Sequence, residues 1–137
     1  MAYWLVKSEP HVYGYQDLVN EGRGRWDGVR NYAARNHLRA MEEGDLVLFY
    51  HSNQGLKVVG ITKVVRTAYP DPTAEQGDWS AVDLIPVKPL NKTVPLTEIK
   101  QTPELANIGL IRIGRLSVMP LTDAEFEKIL AMGETVI

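Results

Sequence analysis

The chain has 137 residues, a length that fits one globular domain and is too short for two ordinary ones. Hydrophobic residues make up 45% and charged residues 23%, which excludes a disordered or fibrous protein, and the absence of cysteine excludes disulfides and thiolate metal sites. The formal net charge of -2 does not by itself indicate a nucleic-acid-binding protein.

Two features of the sequence bear on where the protein works. No apolar run is long enough to cross a bilayer. Residues 1–7 lack the basic start and the long apolar core of a signal peptide. We therefore expect a cytoplasmic protein without a membrane partner.

Outside its central segment, the first half of the chain is predicted to form three strands and one short helix. Residues 3–7 alternate as a first strand, and residues 15–20 predict a helix that ends at Gly22. Residues 46–50 are apolar on both faces, as in a buried strand. Residues 58–65 are rich in β-branched side chains and predict the returning strand of a hairpin.

The central segment, residues 26–39, combines an indole, a glycine turn, an amide and several guanidiniums. Asn31 predicts a helix N-cap, and apolar residues recur behind it at helical spacing while polar and aromatic residues form a second stripe. We expect one helix face to pack inward and the other to be free to bind, with Trp26 in a loop outside any regular element. Asp27 is the single acid among five arginines, which predict a local basic field: Arg23, Arg25, Arg30, Arg35 and Arg39.

The second half begins with a proline-rich and acidic stretch, residues 68–77, that predicts a surface loop. Residues 81–87 predict a further strand. Pro95 begins a short helix, and Thr102 with the proline that follows it predicts another helix start.

Residues 110–118 predict the last strand, broken near Gly114. Thr122 and Glu125 form a capping box for a final helix. About five strands with short flanking helices, without regular strand–helix alternation, predict an α+β unit over residues 1–137. We expect its sheet to curl into a small barrel with a mouth where loops converge.

The sequence lacks the signatures of common active sites. It contains neither a Walker loop nor a dinucleotide-binding glycine fingerprint, and its three histidines lack the spacing of metal ligands. No serine lies in a nucleophile elbow, although a hydrolase built on Ser8 or His51 stays open because triads are recognised by geometry. We expect a non-catalytic protein with no metal and no cofactor.

Three loops carry groups that suit a flat ring with polar edges, such as a nucleobase. Residues 7–9, 26–28 and 51–53 are expected to converge at the barrel mouth, with Trp26 as an aromatic wall. Stacking contributes about 1–3 kcal/mol per base, and extruding a base from a duplex costs a few kcal/mol. Net affinity must therefore come from hydrogen bonds to the base edge and from phosphate contacts by arginines.

Several of these residues also have a purely structural interpretation. Trp4 is expected in the core, whereas Trp26 is equally consistent with a loop plug. Trp79 is placed to be a second wall or a lid anchor. Arg35 is equally suited to a structural ion pair.

Long stretches of the chain closely resemble the EVE domain family, in order and over essentially its full length. The most specific are Tyr3-Trp4-Leu5-Val6-Lys7-Ser8-Glu9-Pro10 and Trp26-Asp27-Gly28-Val29-Arg30-Asn31-Tyr32, joined by residues 44–53, 65–73, 79–83 and 114–122. The resemblance implies a PUA-like fold, related to the YTH, ASCH and SRA base readers. It also implies a non-catalytic reader of a modified base, for example a methylated one, in DNA or RNA.

By this resemblance, Trp26 is the stacking wall and polar and aromatic side chains surround the base. The residues expected to bind the ligand are Lys7, Ser8, Trp26, Asn31, Tyr32, Arg35, His51, Ser52, Asn53 and Trp79. The residues expected to contact the nucleic-acid backbone are Arg23, Arg25, Arg30 and Arg39.

A protein-interaction adaptor on the same fold is the alternative. It would use the loop of residues 69–79 to bind a protein, and its arginines would be incidental. Salt dependence distinguishes the two functions, because phosphate contacts make affinity fall steeply as the salt concentration rises.

Overall fold

One mixed sheet with helices around it carries the fold in this computed structural model, which describes residues 1–137. The strands are β1 (Tyr3–Ser8), β2 (Gly24–Trp26), β3 (Leu46–His51), β4 (Lys57–Pro70), β5 (Ser80–Pro95) and β6 (Val118–Leu121). The helices are α1 (Pro10–Tyr13), α2 (Tyr15–Glu21), α3 (Tyr32–Ala40), α4 (Leu96–Lys100), α5 (Gly109–Arg112) and α6 (Asp123–Met132), and a 3-10 turn spans Pro103–Leu105.

The strand order is β2-β5-β4-β3-β1-β6, which confirms the α+β fold class predicted from the sequence. β1 pairs with β3 in parallel, and all other neighbouring strands pair antiparallel. The sheet has one strand more than the five expected. It is not closed, because β2 and β6 are its two edges and do not pair with each other.

The parallel pairing of β1 with β3 positions the loops of interest. Ser8 lies opposite His51 at the carboxyl ends of the two strands, and the Ser52 amide donates to the Ser8 carbonyl at 2.9 Å just beyond them. Parallel strands end at the same edge of a sheet. The loops at residues 7–9 and 51–53 therefore converge, as the sequence predicted.

Trp4 lies in the core, as expected. Its ring is buried on β1, and its indole Nε1 donates to the Asp45 carboxylate at 2.9 Å. The same buried carboxylate accepts from the Glu42 amide at 2.9 Å and the Ala2 amide at 3.2 Å. The polar edge of the indole is thus satisfied within the fold, as burial of a tryptophan requires.

The helix boundaries follow the local signals in the sequence. Asn31 caps α3 by accepting from the Ala34 amide at 3.0 Å, and Thr122 with Glu125 forms the reciprocal capping box of α6. Gly22 ends α2 with φ of 76°, a left-handed conformation that glycine adopts without a steric penalty.

The prediction of a strand over residues 110–118 is wrong. Residues 109–112 form α5, and β6 begins only at Val118. The alternating isoleucines of this stretch resemble a strand, but the short helix buries Leu110 while Ile113 stays exposed. Short apolar runs fit both periodicities, so tertiary packing decided between them.

The placement of Trp26 in an irregular loop is also wrong. Trp26 is the last residue of β2 and pairs with Val82 of β5. β4 extends through Pro70, so the loop predicted for residues 68–77 begins later than expected. β5 is longer than the strand predicted for residues 81–87. Several register shifts between β4 and β5 let these long strands bend and accommodate prolines, which cannot donate to the ladder.

Gly60 on β4 makes room for Tyr15, whose hydroxyl donates to the Ile61 carbonyl at 2.8 Å. A Cβ at position 60 would lie inside the contact distance of the Tyr15 ring. We expect Gly60→Ala to lower the free energy of unfolding by about 1–3 kcal/mol, the usual cost of overpacking a core. Urea denaturation measures this. Gly114→Ala, where the added methyl meets no atom within 4 Å, is the control, and equal stability of both variants would contradict the packing argument.

Candidate functional site

A cavity of about 760 Å³ opens beside Trp26, and we call it the Trp26 pocket. It lies where β1 and β2 end and where α1 and the segment before α3 meet. Its wall consists of Lys7, Ser8, Val12, Tyr13, Glu21, Arg23, Arg25, Trp26, Asp27, Gly28, Val29, Arg30 and Ser117. The pocket has the size of ordinary small-ligand sites.

Trp26 belongs both to the core and to the wall of this pocket. Its ring packs edge-on against Phe49 at 5.4 Å and against Tyr13 at 6.3 Å between ring centroids. Only 8% of the residue is accessible. The sequence left open whether Trp26 is a structural side chain or the wall of a binding site. In the structure the same side chain packs in the core and also lines the cavity.

Tyr13 contributes a hydroxyl that is buried and makes no hydrogen bond of normal geometry, although the Glu21 carboxylate lies close to it. Burial and then the negative charge of Glu21 raise the pKa of Tyr13 well above its ordinary value, so the hydroxyl keeps its proton. Buried polar groups are normally satisfied. The hydroxyl oxygen is closed off from solvent and packs beside Gly24, so Tyr13 belongs to the wall of the pocket without turning this oxygen into its open space.

Asp71 ties the segment after β2 to the long β4–β5 loop. The carboxylate, in a residue only 5% exposed, accepts from the Gly28 amide at 2.8 Å and from Arg30 at 3.0 Å. It also accepts from the amide and hydroxyl of Thr73 at 2.7 and 2.6 Å. Gly28 has φ of 77°, the left-handed conformation this turn needs.

The protonation state of Asp71 follows from these contacts. Burial by itself would raise its pKa, but the hydrogen bonds from Thr73, Gly28 and Arg30 outweigh burial and hold the pKa well below the ordinary carboxyl value. Asp71 is therefore an anion at neutral pH and acts as a fixed counter-charge at the pocket rim.

The arginines expected to contact phosphates are all paired with aspartates. The pairs are Arg23 with Asp83, Arg25 with Asp27, Arg30 with Asp71 and Arg39 with Asp78, at nitrogen–oxygen distances of 2.9, 2.7, 3.0 and 2.7 Å. The local basic field seen in the sequence is thus largely compensated by carboxylates. Whether these arginines contact a nucleic-acid backbone stays a prediction.

A stack of side chains lies outside the Trp26 pocket and consists of the exposed Tyr32 and the half-buried Arg35 and Trp79. The Tyr32 and Trp79 rings stack at 5.0 Å with an interplanar angle of 21°, and Tyr32 is 67% exposed. The Arg35 guanidinium lies 5.0 Å from the Tyr32 ring centroid, and that of Arg30 lies 5.6 Å from the Trp79 centroid. Arg30, which also lines the pocket, therefore connects the stack to the cavity.

A second cavity of about 500 Å³ lies on the other side of Ser8, and we call it the adjoining pocket. It shares Lys7, Ser8 and Ser117 with the Trp26 pocket, and it contains the predicted residues Ser52 and Asn53. Lys7, Ser8 and Trp26 are thus the predicted ligand-binding residues that the fold brings to the Trp26 pocket itself.

Two predicted residues have structural contacts of their own. Asn31 uses its side chain to cap α3. His51 accepts from the Tyr15 amide at 3.2 Å through Nε2, and its ring packs edge-on against Phe49. Burial first, and then the charge of Lys57, lower the pKa of His51, which favours the neutral acceptor form.

Sequence reasoning missed several residues of the pocket wall. Tyr13 lies on α1, a four-residue helix too short to show a periodic pattern, although Pro10 at its first position was a usable signal. Ser117 fell within the strand wrongly predicted for residues 110–118. No three acidic or histidine side chains come together as a metal site requires, and none of the helices has both the length and the apolar content needed to cross a membrane.

The fold and the site define a class of protein: an α+β sheet with an aromatic and polar pocket beside the carboxyl ends of two parallel strands. The chain belongs to the EVE domain family, whose model matches residues 2–132. The resemblance noted in the sequence is thereby confirmed, together with the PUA-like fold that it implied.

Three relatives illustrate the match. Mouse thymocyte nuclear protein 1 is 38% identical over 97% of this chain and 74% of its own length. A crystal structure of an Agrobacterium tumefaciens protein has a TM-score of 0.96 and 41% identity, covering 98% of this chain and 94% of that one. Human THYN1, solved in complex with DNA containing 5-methylcytosine, has a TM-score of 0.88 and 34% identity over the whole of both chains.

We expect Asp71→Asn to lower the free energy of unfolding by about 2–3 kcal/mol at pH 7, because an amide cannot satisfy donors that surround a buried anion. The folded pKa of Asp71 is depressed, so its contribution is present above the unfolded pKa of about 4 and is lost as pH falls below it. The stability gap between the variant and the natural protein should therefore shrink between pH 5 and pH 3 in urea denaturation.

The control for this experiment is Asp78→Asn, which removes an exposed partner of Arg39 and should cost less than about 1 kcal/mol. If the difference in unfolding free energy between Asp71→Asn and the natural protein stays constant over the whole pH range, the assignment of a buried, ionised carboxylate is contradicted.

Proposed function

We propose that this chain, over residues 1–137, is a non-catalytic domain that binds nucleic acid carrying a modified base and receives that base in the Trp26 pocket. The observation that carries the proposal is a ligand-sized cavity with the Trp26 indole and the polar side chains of Lys7 and Ser8 in its wall. Support also comes from human THYN1, which has the same fold and was solved with DNA containing 5-methylcytosine.

The wall of the pocket offers the groups that a base edge requires. The Ser8 hydroxyl donates to the Tyr13 carbonyl at 2.6 Å, which leaves its oxygen free to accept from a base. Lys7 donates to the Gly114 carbonyl at 2.8 Å and has further donor capacity. Lys7 and Ser8 thus provide a donor and an acceptor for the edge of a flat ligand.

The remaining predicted residues have separate roles in this proposal. In the stack with Arg35 and Trp79, Tyr32 is the exposed ring, and we propose that a neighbouring nucleotide stacks on it. Asn31 and His51 hold the helix and the β3 end that frame the site, and Ser52 with Asn53 lines the adjoining pocket. We propose DNA with 5-methylcytosine as the first ligand to test. The cytoplasmic location of the protein stays a prediction.

Methylation should raise affinity measurably. Burying one methyl group contributes about 0.8 kcal/mol, which corresponds to roughly fourfold in affinity. We expect this preference for an oligonucleotide with 5-methylcytosine over the same oligonucleotide with cytosine, measured by fluorescence anisotropy. Trp26→Phe should weaken binding of both ligands, because it removes part of a stacking contribution of about 1–3 kcal/mol.

Phenylalanine is preferred to alanine at position 26 because truncating a buried tryptophan costs about 3–5 kcal/mol of stability. Trp4→Phe is the matched control, since it removes a buried indole that does not line the pocket. Equal affinity for methylated and unmethylated oligonucleotides, or an equal loss in both tryptophan variants, would contradict the proposal.

Tyr13→Phe tests where the Tyr13 hydroxyl lies relative to the pocket. The Tyr13 hydroxyl makes no hydrogen bond of normal geometry in the protein, so its removal should leave the free energy of unfolding nearly unchanged. Because the hydroxyl oxygen is closed off from the open space of the pocket, affinity should stay unchanged in the same titration, in contrast to the loss expected for Trp26→Phe. A large fall in affinity would contradict this placement and show that the base reaches the hydroxyl.

A further inference from the structure

The four arginines that the sequence predicted to contact phosphates are paired with aspartates. Other cations are therefore needed to neutralise the phosphates of a bound nucleic-acid strand. We propose that its phosphates follow a basic groove, defined by Lys7, Lys57, Lys100 and Arg115, that leads away from the Trp26 pocket. This inference deepens the proposed function and rests on it, because the strand in the groove is the one whose base enters the pocket.

The cavities beside the sheet support a continuous path. The adjoining pocket shares Lys7, Ser8 and Ser117 with the Trp26 pocket at one end. At its other end it shares Leu56, Leu96 and Lys100 with a third hollow of about 500 Å³. The three concave surfaces are thus joined through common residues, as a site for an extended chain of nucleotides requires.

The cations along this path outnumber the acids. Lys57, Lys100 and Arg115 make no ion pair and no side-chain hydrogen bond within the protein, unlike the four arginines around the Trp26 pocket and α3. The acid in the wall of the adjoining pocket is Glu9, whose carboxylate accepts from the Asn53 side-chain amide at 2.5 Å. Lys7, Lys100 and Arg115 line the same pocket, so its wall carries net positive charge. Affinity from counterion release needs net positive charge, which the groove has and the paired arginines lack.

The loop that presents Arg115 is held against β1. The Lys7 ammonium donates to the Gly114 carbonyl at 2.8 Å, and the Lys7 amide donates to the Ser117 carbonyl at 2.9 Å. The hydroxyls of Ser52 and Ser117 line the adjoining pocket and make no hydrogen bond within the protein. Free hydroxyls beside lysines and an arginine are the groups that bind phosphate and sugar oxygens.

The slope of log affinity against log salt tests the groove. For a single-stranded oligonucleotide, each lost phosphate contact reduces this slope by about 0.7. We expect Lys100→Ala and Arg115→Ala each to reduce it by about that amount and the double variant by about twice as much. The ratio of affinities for 5-methylcytosine and cytosine should stay unchanged, because phosphate contacts do not read the base.

Two controls separate the groove from other basic surfaces. Lys92→Ala removes an exposed lysine without an ion pair, and Arg39→Ala removes an aspartate-paired arginine; neither residue lines the three cavities. Both variants should keep the natural slope. Natural slopes for the Lys100 and Arg115 variants, or a slope reduced instead by Arg39→Ala, would overturn the groove.

The experiment distinguishes failure of the groove from failure of the proposed function. Unchanged slopes with a preserved preference for 5-methylcytosine would overturn the groove alone. Reduced slopes for the Lys100 and Arg115 variants, without a preference for 5-methylcytosine, would support phosphate binding in the groove. The same result would overturn the proposed recognition of a modified base. Absence of oligonucleotide binding at low salt would overturn both, and would leave an acidic protein segment as the occupant that suits these cations.

Discussion

The parallel pairing of β1 with β3 is the constraint on which the functional face depends. It sets Ser8 beside His51 and lets the Ser52 amide bond to Ser8, so two loops far apart in the sequence lie next to each other. Lys7 and Ser8 then stand on the border between the Trp26 pocket and the adjoining pocket. Because a one-residue slip in register turns every side chain to the opposite face, both cavities require this register.

A second constraint is the placement of aspartates. Asp71 and Asp83 are buried, and they orient the guanidiniums of Arg30 and Arg23 at the rim of the Trp26 pocket. These pairs make a polar wall with little net charge, whereas Lys100 and Arg115 are uncompensated further along the surface. In the proposed binding mode the polar wall surrounds the base, and the cations neutralise the phosphates of the nucleic-acid backbone.

Trp26 couples the fold to the proposed ligand. The same indole packs against Phe49 and Tyr13 and borders the cavity, so any change in it alters both core packing and the shape of the pocket. The Tyr13 ring next to it packs edge-on against the indole, so it holds the indole in place from the side of α1. Stability and affinity are therefore joined at Trp26.

The sequence by itself determined the features that depend on neighbours along the chain: the caps at Asn31 and Thr122, the stop at Gly22 and the central strands. It also indicated the family, because the matching motifs are long. Only the tertiary structure decided that Trp26 lies in an edge strand, that residues 109–112 form a helix, and that Arg30 and Arg23 are held by aspartates 41 and 60 residues away. It likewise separated the stack of Tyr32 and Trp79 from the pocket. These outcomes depend on which distant segments pack together, and a local pattern of residue types carries no information about such long-range contacts.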